Sequence, residues 1–342
     1  MGNIKSKRPV SGIFQRKRSQ SPQTDKAIAS KGTASNKTPT SCGTSKSNRP
    51  FTAEEAPYVL PADLSEVDRL TQQHYMFRAL LGSLHLAPFR KKLNKALDVG
   101  TGTGIWCMEM AEKHTDCQIV GVDIATIQPS TVVPSNCTFQ VVNALEGLPE
   151  FQDNTFDFVF QRAMLGSYQD EQWPVQVAMY KRLCRPGGTV EMMEFDGHLK
   201  GFGEHGKRLN DLTEKMCLAR GMNTYNAIRG KEYLEKEGFT DVHEVIKRLN
   251  FGSRHGNMGT LAVQDFEDLY KGLGVLMVQF NFIGEEELKQ LIIDWKAEVE
   301  MEENETYIDL YVMYGTKAGE EEESVEAAPL ADPVPPPSSS SN

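Results

Sequence analysis

The segment LDVGTGTGIW, residues 97–106, constrains this chain more than any other. Asp98, Gly100, Gly102 and Gly104 stand at alternate positions in it. It joins a short apolar run, KALDVG (95–100), to a helical pattern, WCMEMAEK (106–113). Glycines at such a junction let the backbone turn tightly and come close to a ligand. The dinucleotide fingerprint G-x-G-x-x-G does not fit, because a third glycine counted from Gly100 would fall at Ile105. The pattern is D-x-G-x-G-x-G. It belongs either to a ligand-cradling turn or to a plain strand-to-helix turn of another α/β fold.

The rest of the middle alternates in the same way. QIVGVD (118–123), FQVVN (139–143) and FDFVFQ (156–161) read as buried strands, and TVEMMEF (189–195) as a strand. EQWPVQVAMYKRLC (171–184) reads as a helix that stops at a turn, RPGG (185–188). Upstream, Leu64, Val67, Leu70, His74, Phe77 and Leu81 recur at helical steps over 63–82 and predict an amphipathic helix. Further helices are expected at 204–220, 229–237, 262–280 and 285–303, with strands near 240–250 and 305–316. This order predicts an α/β fold, a mostly parallel sheet with helices on both faces.

In such sheets the ligand lies beyond the carboxyl ends of the strands. The strands ending at Gly100, Asp123, Asn143 and Gln161 would converge there. The glycine spacing after an acid suits the amino-acid end of S-adenosylmethionine. Asp123, 19 residues after Gly104, can accept both ribose hydroxyls of a nucleoside cofactor. Its alternative is a solvated strand-end acid. Asn143, followed by Ala144, carries an oxygen able to accept from an adenine amino group.

Charge divides the chain. Residues 1–50 hold eleven Lys or Arg and one acid, Asp25, whereas the remainder holds 26 basic and 46 acidic residues. Duplex nucleic acid is therefore not an expected partner of the main body. Residues 1–50 and 319–342, poor in large apolar side chains, are expected to be disordered tails. The folded domain is expected at 51–318, with a cofactor core at about 94–195 and substrate-side elements at about 55–93 and 196–304. The six cysteines form no C-x-x-C pair, and the seven histidines show no H-x-x-x-H spacing, so no metal is expected.

LDVGTGTGIW, GVD, FDFVFQRAMLGSYQDEQW and LCRPGGTVEMMEF together resemble the class I S-adenosylmethionine-dependent methyltransferases. More narrowly they resemble the fungal LaeA-like methyltransferases linked to secondary-metabolism control. RLTQQHYMFRALLGSLHLAP (69–88) and Trp106 add to the likeness. The resemblance implies a Rossmann-like fold: seven strands, mostly parallel, with a reversed last strand at 305–316. It implies S-adenosyl-L-methionine as cofactor. The contacts it implies come from Asp98, Gly100, Thr101, Gly102, Gly104, Asp123, Ile124, Asn143, Ala144, Gln161 and Arg162. Asn143 departs from the more usual Asp, SYQDEQW lengthens the loop after Gly166, and 196–260 matches no pattern of the family.

Methyl transfer from a sulfonium needs alignment more than covalent help. A base is needed only for an acceptor that is protonated at working pH. Candidates are Glu191, Glu194, His198 and Tyr168. Three residues apart on a strand, Glu191 and Glu194 face opposite ways, so at most one can serve the site. His74 and His85 read as packing or solvated residues, and Met192 and Met193 as core. The chain has no D/N-P-P-Y/F/W motif and no Pro-Cys pair, which argues against adenine-N6 and cytosine-C5 methylation in DNA. A small molecule or a protein side chain remains as acceptor.

The opening MGNIKSKR fits the myristoylation pattern at Gly2, with Ser6 in place and basic clusters nearby. One acyl chain plus a polybasic patch would give peripheral membrane contact. A cytoplasmic location is expected, membrane-associated if Gly2 is acylated. A nuclear address is the alternative reading of the same clusters. Regulatory protein partners and a non-catalytic, cofactor-binding role stand as the rival to an enzyme. A nicotinamide oxidoreductase is disfavoured by the glycine spacing.

Overall fold

The computed structural model describes Leu60, residues 64–89 and residues 91–319. The tails expected at 1–50 and 319–342, and Gly2 with them, lie outside the described residues, Gly319 apart. In chain order the elements are α1 (Leu64–Leu81), β1 (Lys95–Val99), α2 (Ile105–Lys113), β2 (Gln118–Asp123), β3 (Cys137–Val141) and β4 (Phe156–Arg162). They continue with α3 (Gln172–Leu183), β5 (Cys184–Phe195), α4 (Glu204–Ala219), α5 (Gly230–Lys236) and β6 (Phe239–Asn250). The series ends with α6 (Gly256–Gln279), α7 (Glu285–Val299) and β7 (Tyr307–Lys317).

The seven strands form one sheet in the order β3-β2-β1-β4-β5-β7-β6. β1 to β5 pair in parallel, and β7 runs antiparallel to both β5 and β6. The reversed last strand is thus as expected. The strand order turns around between β1 and β4, which opens a crevice at their carboxyl ends.

Alternation along the strands sorts residues to the two faces. Leu97, Val99, Val159 and Val190 pack with α3 and α5 residues such as Trp173, Tyr180 and Leu234. Ala96, Phe158, Phe160 and Met193 pack on the other face with Phe77, Trp106 and Met110. Trp106 lies flat on Phe160, with ring centroids 4.2 Å apart, and its indole donates to Leu84 O at 2.8 Å. That satisfies the one polar atom of a fully buried Trp. A third cluster, built on Trp295, Phe251, Phe266 and Met277, joins α4, α6 and α7 beside β6.

Three expectations need correction. FQVVN is not a buried strand, because β3 sits at the sheet edge and Val141 is 55% exposed. An edge strand leaves one side in solvent, so apolar content alone does not mark it as buried. RPGG is not a separate turn, because β5 already begins at Cys184 and absorbs it as an irregularity opposite Phe156–Phe158. The helix over 63–82 forms, but its buried face is different. Leu64 is 83% exposed, whereas Glu66, Arg69, Gln73, His74, Met76 and Phe77 are buried. The inward stripe is rotated from the apolar one because polar partners on α6 receive it.

Candidate functional site

The loop between β1 and α2 is shaped by backbone conformation. Gly100, Gly102 and Gly104 have φ of +73°, +55° and +76°, the left-handed region that side chains resist. Gly100 N and Thr101 N both donate to Val122 O, at 2.9 and 3.0 Å, which ties the loop to β2. A Cβ on Gly100 would drive into Met164, and one on Gly104 into the Phe139 ring. One on Gly102 would meet only Leu70 within 4 Å, at 3.5 Å. The crowding at Gly100 and Gly104 is internal to the fold, and Gly102 is the position left open toward the crevice.

Asp98 does not reach that crevice. It is buried under the loop, where its Oδ2 accepts from Thr101 Oγ1 at 2.7 Å and from Cys107 Sγ at 3.5 Å. Burial pushes its carboxyl up to about 6 against the pull of these donors. Asp98 is a brace for the loop, and Gly104 likewise serves as the N-cap residue of α2.

The cleft at the strand ends is lined by Gly100, Thr101, Gly102, Asp123, Ile124, Asn143, Ala144 and Arg162 among the expected residues. Asp123 Oδ2 accepts from Gly102 N at 2.7 Å and Oδ1 from Ala125 N at 2.8 Å. Each carboxylate oxygen has a second lone-pair direction, so Asp123 holds the loop and still offers acceptors to a pair of hydroxyls. Burial raises its pKa. Asn143 is not a strand end. Its Oδ1 accepts from Leu145 N at 3.1 Å and caps a short 3₁₀ turn over Ala144–Glu146.

Arg162 enters the cleft from the end of β4. It stacks on the Phe77 ring at 4.9 Å, and Nη2 meets His74 Nδ1 at 3.3 Å. The other ring nitrogen of His74, Nε2, lies 3.1 Å from Glu109 Oε2. Burial, then the charges of Arg162 and Arg78, lower the His74 pKa to about 3. The ring is therefore neutral, accepting from Arg162 and donating to Glu109. Nothing in the spacing of His74 revealed this, since Glu109 and Arg162 are 35 and 88 residues away.

Gln161 is wholly buried and does not line the cleft. Its amide nitrogen donates to Glu194, and its carbonyl accepts from the Tyr180 hydroxyl at 2.8 Å. The four catalytic candidates separate clearly. Glu191 is on the α2 face of the sheet, where Oε2 accepts from Leu86 N at 2.9 Å and from Ala87 N. Glu194 faces the other way and accepts from Met164 N at 2.7 Å and Leu165 N at 3.1 Å. The opposite facing follows from the spacing of three. His198 is tied to Thr224 Oγ1 and stacks against Tyr225, clear of the cleft. Tyr168 borders the cleft with its ring, while its hydroxyl is 3.1 Å from that of Tyr180.

Sequence reasoning placed α1 among the substrate-side elements but did not foresee that it also walls the cofactor cleft. Glu66, Leu70 and Gln73 line the cofactor cleft. Arg69, Leu70 and Gln73 line a second cavity, together with Ala163, Glu194 and residues of α4 and α6. The helix is held by a buried polar set. Arg69 Nη2 donates to Glu66 Oε1 at 2.7 Å, Arg69 Nη1 to Asp265 Oδ1 at 3.0 Å, and Gln73 Nε2 to Asp265 Oδ2 at 3.0 Å.

The residues fit S-adenosylmethionine. A glycine loop with one open position, a half-buried acid able to accept from two hydroxyls and a guanidinium able to pair with a carboxylate face one cleft. A family model described as "Methyltransferase domain" matches residues 72–244. The N-methyltransferase sirN of Leptosphaeria maculans is 28% identical over 72% of this chain and 90% of its own length. The secondary metabolism regulator LAE1 of Cochliobolus heterostrophus is 34% identical over 57% of this chain and 66% of its own length. The methyltransferase pytC of Aspergillus terreus is 39% identical over 40% of this chain, which spans only 41% of pytC. Among solved structures, phosphoethanolamine N-methyltransferase 2 of Haemonchus contortus is similar at 18% identity and a TM-score of 0.43, covering 75% of this chain and 60% of that one.

Proposed function

The chain belongs to the methyltransferase-domain family and is an S-adenosylmethionine-dependent methyltransferase; on that premise we propose that it methylates a small molecule, in the service of secondary metabolism. The observation that carries the reading is the shared wall. Leu70, Gln73 and Ala163 line both the cofactor cleft and the second cavity. Donor and acceptor spaces therefore meet behind α1. The metabolic role rests on the likeness to LAE1, a named secondary metabolism regulator.

The cofactor supplies an electrophilic methyl group on a sulfonium. The chain's own residues orient and shield. Asp123 would hold the ribose and Arg162 the amino-acid carboxylate of the donor, and α1 walls the cleft against water. Glu194 is the base this reading assigns. It borders the second cavity, and its Oε2 accepts from Leu165 N, which leaves a lone pair for an acceptor proton. Burial pushes its carboxyl up to about 7, a value suited to taking a proton at neutral pH. His198 and Glu191 have no access to this space.

The test is label transfer. Full-length protein, methyl-labelled cofactor and cell extract separated into organic-soluble and protein fractions are combined, with Asp123→Ala as the control. Label in the organic fraction, reduced by Glu194→Gln about a hundredfold, is expected. Label on protein alone would overturn the small-molecule reading. Cofactor binding with no label in any fraction would leave the non-catalytic regulator.

A further inference from the structure

The second cavity has a chemistry of its own. Its walls are mainly apolar, with Phe195, Leu199, Phe266, Leu269, Leu273 and Ile308 among them. Two hydroxyls border it without partners. Tyr270 is 3% exposed, and among the described residues its hydroxyl makes no hydrogen bond. Thr213 Oγ1 is buried with no partner among the described residues. Buried polar groups are nearly always satisfied, so the orphaned Thr213 hydroxyl on the same cavity as the unpaired Tyr270 hydroxyl requires an explanation. Other polar side chains there are committed. Asn210 exchanges two hydrogen bonds with Leu199, and Arg69 is bonded to Glu66 and Asp265.

Resting on the methyltransferase reading above, we propose that this cavity binds a neutral, mostly apolar acceptor carrying a hydroxyl or ring nitrogen, and that Tyr270 and Thr213 receive its polar group. The apolar walls remove hydrocarbon from water, at about 25 cal/mol per Å². The two hydroxyls each donate and accept, so they select a polar atom without demanding a charge. A cationic acceptor such as a lysine ammonium fits badly. It would leave water for walls that are mainly apolar. The burial of Tyr270 raises its pKa and keeps its proton in place as a donor.

The experiment uses full-length protein saturated with S-adenosylhomocysteine. Calorimetry compares 1-naphthol, which is neutral and carries one hydroxyl, with N-acetyl-lysine methylamide, which is cationic. We expect 1-naphthol to bind with a Kd on the order of 100 µM, and the lysine derivative not to bind. Tyr270→Phe should weaken 1-naphthol about tenfold, and Leu273→Trp should abolish its binding, with S-adenosylhomocysteine affinity unchanged in both. Absence of 1-naphthol binding by protein that binds S-adenosylhomocysteine overturns the proposal. So does 1-naphthol binding that neither variant changes. If Leu273→Trp fails to bind S-adenosylhomocysteine it has lost the fold, and Tyr270→Phe alone decides. Failure of the wild-type chain to bind S-adenosylhomocysteine would instead overturn the underlying methyltransferase reading.

Discussion

Removing the Asp123 carboxylate separates its two duties. In the protein alone it anchors the loop, through Gly102 N at 2.7 Å and Ala125 N at 2.8 Å. With cofactor bound, the remaining lone pairs would receive the ribose hydroxyls. A hydrogen bond to a charged group contributes about 1.5–3 kcal/mol, so losing one should raise the S-adenosylhomocysteine Kd by roughly ten- to 150-fold, and losing both by more. Loop loosening also weakens binding, so affinity alone does not isolate the ribose contact. A cycle does. Adenosine and 2′,3′-dideoxyadenosine are titrated as competitors against wild type and Asp123→Ala. The wild type should prefer adenosine by about tenfold or more, and the variant should bind the two alike. Preference retained by Asp123→Ala, or absent from the wild type, would refute the assignment of Asp123 to the ribose.

Two further outcomes follow from the geometry. Gly100→Ala combines a φ of +73° with a Cβ directed into Met164. It should lower stability by about 1–3 kcal/mol, read by thermal unfolding, and should weaken cofactor binding through the displaced loop. Burial pushes the Glu191 carboxyl from 4.5 up to about 7, so the folded state holds an extra proton between those values. Its contribution to stability is complete below about 4.5 and lost as pH rises through about 7. Glu191→Gln, with a carbonyl to accept from Leu86 and Ala87, should flatten that part of the stability–pH curve, and an unchanged slope would show that Glu191 does not titrate there.

What the sequence made legible was local. The glycine loop and the strand ends at Gly100 and Asp123 all fall between Lys95, where β1 starts, and Asp123, where β2 stops. Spacing that short exposes them to pattern reading. Asn143 was legible as a cleft residue but not as a cap, because a 3₁₀ turn of three residues has no periodicity to read. Asp98 illustrates a different limit. An acid before a glycine loop looks the same in sequence whether it faces the ligand or braces the turn beneath it. Its direction depends on Thr101 and Cys107 being packed against it. The face of α1 was hidden for a simple reason. Glu66, Arg69 and Gln73 have the composition of a solvated stripe, and Asp265, which receives Arg69 and Gln73, comes 196 residues after Arg69.

That hidden face carries the argument from fold to function. A buried ion pair is weak evidence for stability, since apolar residues of similar volume would often hold the helix as well. Two carboxylates gripping one guanidinium do something that apolar packing does poorly: they fix register. Arg69 and Gln73 are bound to the same Asp265 of α6, through different carboxylate oxygens. One turn of slip along α1 would strand a buried charge, a penalty of several kcal/mol. The residues thereby held in place, Leu70 and Gln73, are the α1 residues that border both cavities. Methyl transfer depends on alignment of donor and acceptor to within fractions of an ångström. On the proposed function, the polar stripe on α1 thus sits where positional accuracy matters most, at the wall that donor and acceptor would share.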